Sequence, residues 1–226
     1  MLLTISVILI IVSSLMSLVP ALRNFFQKRS EFLTFILTLF ATFIGVFWAI
    51  EFDNSNQEQI ETENTIKLLN STKLEISNKI LTNDLHIDVI DNNLAQLTPK
   101  EFISANPISA SNLFMTTISN EMILRKISKN GIQVLHNCGD NLQSMQMGLN
   151  KGENLQDTSV TDIMRSYSRL LTYSKSLLTV EILYLKKEFT EETANSMYDT
   201  LFNRYNSFEK LYNLDSAIEY RRSLSQ

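Results

Sequence analysis

Two long stretches without a charged side chain, Met1–Leu22 and Phe32–Ile50, constrain this chain more than any other feature. Either can cross a hydrocarbon core about 30 Å thick at about 1.5 Å per helical residue. A lone strand would leave its backbone N–H and C=O groups unsatisfied in lipid, so the spanning form is helix. Residues 1–50 therefore read as a two-helix transmembrane hairpin, with spans at about 2–22 and 32–50 and the lipid bilayer as partner. Phe25, Phe26 and Trp48 fall near the expected water boundaries, where aromatic rings are enriched. Pro20 and Ala21 lie among small residues of the kind that flank a signal cleavage site. No basic segment precedes the apolar run, however, and the run is longer than an ordinary signal h-region, so a retained helix is expected.

The loop between the spans carries Arg23, Lys28 and Arg29, while the N-terminal flank has no Lys or Arg and the segment after the second span has none until Lys67. Basic residues near span ends resist translocation, which places the loop in the cytoplasm and both termini outside. Within the second span Ala41, Gly45 and Ala49 recur every four residues and line one helix face with small side chains. Ser13 and Ser17 do the same in the first span. Such stripes allow close backbone approach, either between the two spans or with a partner helix, and the short tether favours the first.

Residues 51–226 are a different material, rich in Asn, Ser, Thr, Lys and Glu, and read as one soluble helical domain. The segment after Ile50 lacks Gly and Pro, so the second span is expected to run straight into a long helix. A 3,4 frame follows from Ile66 through Leu69, Lys73, Ile76, Ile80, Asn83, Ile87, Ile90, Leu94 and Leu97. This is a coiled-coil-like seam and the predicted interaction surface, with Lys73 and Asn83 as register-setting interruptions. Leu74, Leu81, Leu85 and Val89 widen the apolar surface, which favours packing inside a bundle.

Thr98-Pro99-Lys100-Glu101 starts a new helix, with a cap residue followed by proline at the first helical position, and Pro107 ends it. Ser109 or Ser111 starts the next, carrying Phe114, Ile118, Met122 and Leu124 towards Asn130-Gly131, a potential cap. Residues 148–157 read as a loop. Two longer helices follow, Thr158 to about Phe189 and Thr190 to about Tyr212, with a short terminal helix from Asp215 to about Leu224. No stretch alternates like a strand, and five glycines and three prolines are few for a β-rich domain. The fold class is all-α: a transmembrane hairpin continuing into an antiparallel helical bundle with a coiled-coil-like long helix.

The run Phe40-Ala-Thr-Phe-Ile-Gly45-Val-Phe-Trp-Ala-Ile50, followed by Leu68-Leu69 and Leu74-Glu75-Ile76-Ser77-Asn78, resembles a large group of bacterial membrane-anchored helical proteins. These join an A-T-x-x-G-V-type span to a helix with an L-x-x-E-L-x-x-N-like segment. The resemblance covers about 40 residues and implies a bacterial origin and a helical fold, with no biochemical activity to carry over. Members often place Arg or Lys directly after the span, where this chain has Glu51 and Asp53. The resemblance implies a bacterial cytoplasmic membrane, while the extracytoplasmic placement of the C-terminal domain rests on the loop charges alone and is not borrowed from the resemblance.

Chemistry is sparse. A formal net charge of −4 and scattered basic residues offer no face for nucleic acid. His136 and Cys138 diverge by roughly 200° on a helix, and with His86 the only other histidine and no second cysteine they form no metal signature. The glycines make neither a dinucleotide fingerprint nor a phosphate loop. Glu121, Glu181, Glu191 and Glu192 read as solvated helix surface. No catalytic residue, cofactor or metal is therefore assigned, and the chain is not expected to be an enzyme. The leading expectation is a membrane-tethered interaction or scaffold protein that engages a protein partner or forms a homo-oligomer. The alternatives are a membrane effector or pore-forming component of a stress or phage-defence system, with Thr34, Thr38 and Thr42 as a weakly polar lining, and an extracytoplasmic ligand sensor acting through a partner.

Overall fold

The computed structural model describes residues 30–109, 111–151 and 157–206. Its elements are α1 (Ser30–Asp91), α2 (Pro99–Ala105), α3 (Asn112–Ile118), α4 (Glu121–Lys126), α5 (Lys129–Lys151), α6 (Asp157–Leu185) and α7 (Glu191–Asn206), with no strand among the described residues. The chain divides into two compact units, Met1–Ile60 and Glu61–Gln226. The division falls ten residues beyond the expected boundary at residue 50, because every residue from 51 to 60 is exposed and joins no core.

In the first unit, α1 begins at the expected second span and continues without a break past Ile50, as the absence of Gly and Pro requires. The expected first span, with Ser13 and Ser17, and the basic loop residues Arg23, Lys28 and Arg29 lie outside the described residues.

The second unit is a helical bundle centred on α5, α6 and α7. Leu135 and Leu142 of α5, Met164, Leu171 and Leu178 of α6, and Met197 and Leu201 of α7 are all buried. The repeat of apolar positions every three or four residues makes each of these helices amphipathic, and burial of a full Leu or Met side chain contributes about 1.5–3 kcal/mol. Leu69, Ile76 and Ile87 add one face of α1 to the core, and Phe114, Ile118 and Ile123 fill it from α3 and α4. Close approach of α3 to α5 depends on Gly139, where an added Cβ would stand 2.6 Å from Ile118 Cδ1.

Helix boundaries follow local chemistry. Thr98 and Glu101 close a capping box over the start of α2: Thr98 Oγ1 accepts from the Glu101 N–H at 3.3 Å, and Glu101 Oε2 accepts from the Thr98 N–H at 2.9 Å. The single helix expected from Ser109 or Ser111 to Asn130 is instead α3 and α4. Asn120 breaks it by capping α4, its Oδ1 accepting from Met122 N–H at 2.9 Å. Gly131 is no C-cap but lies in the first turn of α5, which runs on through Gly148 into the expected 148–157 loop. Residues 152–156, and the expected helix from Asp215 to Leu224, lie outside the described residues.

Candidate functional site

The two candidate surfaces of α1 differ sharply in exposure. Between Thr34 and Ile50 the large side chains stand open, including Phe35, Phe40, Phe43, Phe47 and Trp48. Ala41, Gly45 and Ala49 are also exposed, and nothing lies within 4 Å of where a Cβ on Gly45 would sit. Among the described helices only α1 is long and apolar enough to cross a membrane, and none of its apolar window is buried. The hydroxyls of Thr38 and Thr42 donate to the carbonyls of Thr34 and Thr38, each at 2.8 Å, so these groups satisfy their own helix.

The predicted interaction seam is covered instead. Leu69, Ile76 and Ile87 are buried, and Ile66, Ile80 and Ile90 pack partly buried against them, so the seam is occupied by the bundle's own core and is not a free surface. Leu94 and Leu97 leave it altogether: α1 stops at Asp91, and positive φ values at Asn93 (49°) and Gln96 (53°) turn the chain so that both leucines are exposed. The large apolar side chains that α1 presents to solvent in this unit are Leu74, Leu81 and Leu85, which the sequence pattern assigns to packing inside a bundle.

A line of polar contacts fixes α1 against its neighbours. Thr72 and Thr117 share a buried hydrogen bond of 2.7 Å, and Glu75 accepts from Ser111 Oγ at 2.8 Å. Asn83, an interruption of the apolar seam, is 3% exposed. Its Nδ2 donates to Met164 O and to Ser168 Oγ, both at 2.8 Å, while Ser168 Oγ donates to Asp84 Oδ1 at 2.7 Å. Beyond it, Asp91 pairs with Arg165 at 2.6 Å.

The second notable cluster surrounds Glu181, which the sequence reading placed on a solvated surface and which is fully buried. The correction has a local cause: Glu181 lies on the Leu177–Leu178 face of α6, and that face is turned into the core. Its Oε2 accepts from Ser128 N–H at 3.0 Å, and its Oε1 accepts from Ser128 Oγ at 2.8 Å and from Tyr198 Oη. Ser128 in turn caps α5, its Oγ accepting from Gly131 N–H at 3.0 Å. One carboxyl thus joins α6 to the start of α5 and to α7. Burial raises its pKa above the ordinary carboxyl range, outweighing the donors on Tyr198 and Ser128 that favour the ionised form. The one hint in the sequence is that Glu181 is a lone acid inside the apolar run Leu177–Leu183.

Cys138 is buried, and burial pushes its thiol up to about 12, so it is a packing residue with little thiolate. His136 does not meet it in a metal site: among the described residues no group of three His, Cys, Asp or Glu side chains converges. Clefts of about 40 Å³ (Lys79, Asn83, His86, Ser109 and Tyr167 among its walls) and about 180 Å³ (Ser166, Arg169, Tyr205, Asn206) are smaller than the ~300 Å³ at which small-molecule pockets begin. No protein-family model, curated protein or solved structure matches the chain.

Proposed function

We propose that this chain is a bacterial membrane-anchored interaction protein, in which spans at about 2–22 and 32–50 hold a helical bundle at the cytoplasmic membrane for a protein partner or a further copy. The observation that carries this reading is the exposure of every large apolar side chain described between Phe35 and Ile50 except the half-buried Ile36 and Ile44. Such a continuous apolar surface is unstable in water and stable in lipid. With Arg23, Lys28 and Arg29 in the connecting loop, the bundle lies on the extracytoplasmic side.

The pore-forming alternative draws less support, because the hydroxyls of Thr38 and Thr42 are already taken by their own helix backbone. The test is cysteine accessibility in intact cells, with single reporters in the 23–29 loop and after residue 226. A protected loop and a labelled C-terminus are expected. The reverse pattern overturns the orientation, and recovery of the chain in the soluble fraction overturns the anchor.

A further inference from the structure

We propose that the cleft bounded by α1, α6 and residues 107–109 binds a small oxyanion that still carries a proton, with the size and chemistry of bicarbonate. The site lies wholly within the second unit and does not depend on the membrane anchor. Among the described residues two buried side-chain atoms have no hydrogen-bond partner, Asn83 Oδ1 and His86 Nδ1, and both residues belong to the wall of this cleft. Three positions apart on α1, they are neighbours on one helix face, so a single molecule can meet both. Asn83 is 3% exposed, and its Nδ2 is taken by Met164 O and Ser168 Oγ. Exchanging the two ends of the carboxamide would set its oxygen against the Met164 carbonyl, so the unsatisfied atom is an acceptor and calls for a donor. The His86 ring meets Phe102 edge-on at 5.3 Å, and burial keeps the imidazole neutral near pH 7, so Nδ1 donates or accepts according to tautomer.

Lys79, one turn before Asn83 in the same wall, brings the positive charge. Of the three donors on its ammonium, one goes to Ser109 Oγ, a neutral group that does not offset the charge. The facing segment is held in place by α5: Ile108 N–H donates to Asn150 Oδ1 at 3.0 Å, and Ile108 O accepts from Gln146 Nε2 at 3.1 Å and Asn150 Nδ2 at 2.9 Å. About 40 Å³ is room for about three or four water-sized atoms, at ~10–15 Å³ each. Lys79 repels a cation of that size, and an anion without a proton leaves Asn83 Oδ1 with no donor. A protonated oxyanion satisfies the whole wall: its O–H donates to Asn83 Oδ1, one oxygen accepts from Lys79, and the third accepts from His86 Nδ1–H.

The test titrates the full chain in detergent with sodium bicarbonate and with sodium nitrate, a planar anion of the same charge that has no proton, at equal pH and ionic strength. Calorimetry should show bicarbonate binding about tenfold or more tighter than nitrate. The ring-nitrogen resonances of His86 should move on binding and those of His136, the chain's other histidine, should not. Lys79→Met should weaken bicarbonate by about tenfold or more. Equal affinity for the two anions would mean a site that reads charge alone. No binding would mean that the cleft holds only water, and a response at His136, or undiminished binding by the Lys79→Met chain, would place the anion elsewhere. Each of these overturns the proposal, and the comparison of the two anions requires no variant to fold.

Discussion

Gly131 leaves open the space that the Glu181 carboxyl fills: a Cβ built on Gly131 would overlap Glu181 Oε1. The start of α5 is thereby shaped to accept a carboxyl from α6, and the fit predicts a strong, specific coupling. Gly131→Ala should destabilise the chain by about 3 kcal/mol, through overpacking and disruption of the Ser128 and Tyr198 hydrogen bonds. In a Glu181→Ala background the same substitution should cost far less, since the obstructing carboxylate is gone. A double-mutant cycle by chemical denaturation in detergent measures this, and additive effects would show that the two sites are independent.

The buried carboxyl also predicts a pH dependence. Glu181 has a raised pKa in the fold, so the native state keeps a proton that the unfolded chain releases at its ordinary value of 4.5. Its contribution to stability is complete below that value and is lost as pH rises through the folded one. His86 acts in the opposite sense: burial lowers its pKa from 6.5, so its contribution is present above that value and is lost as pH falls through the folded one. Glu181→Gln should therefore remove the part of the decline that sets in as pH rises above 4.5, and leave the loss that His86 causes as pH falls below 6.5. Melting temperatures across the pH range check this.

Asn83 should be far more sensitive than an Asn on a helix surface. Asn83→Leu removes both Nδ2 hydrogen bonds and sets an apolar side chain against the Met164 carbonyl and the Ser168 hydroxyl, which keeps its bond to Asp84, at a cost of about 2 kcal/mol. Asn78→Leu, on the exposed side of the same helix, should change stability by less than about 0.5 kcal/mol. Equal effects in denaturant titrations would contradict the placement of α1 against α6.

The two apolar stripes of α1 should separate in the same way. Ile76→Ala empties a fully buried position and should cost about 2–5 kcal/mol, whereas Leu74→Ala should leave stability within about 0.5 kcal/mol. If the Leu74 substitution proves the more damaging in denaturation, the inward and outward faces have been exchanged.

The features that the sequence disclosed were those written in short-range chemistry. The unbroken α1 follows from the lack of Gly and Pro after Ile50, and the start of α2 from the Thr98–Glu101 capping box. What it concealed depended on distant neighbours. The 3,4 frame ran through Leu94 and Leu97 because periodicity does not register the turn made by Asn93 and Gln96. Leu74 and Ile76 are both apolar residues of α1, and only the neighbouring helices decide which is covered. Glu181 was concealed by its charge, since burial of an acid depends on the donors of Ser128 and Tyr198, 53 and 17 residues away.

Asn83 also bears on how α1 responds to load. Apolar side chains tolerate sliding, because one leucine ridge can replace another after a turn of translation. A carboxamide bound to a particular carbonyl and a particular hydroxyl has no such equivalent a turn away. Any pull along the axis of α1 must therefore break the bonds to Met164 and Ser168 before the helix can slip past α6. Together with the other polar contacts of α1, Asn83 acts as a mechanical detent, fixing the axial position of a helix that its greasy contacts alone would leave free to shift.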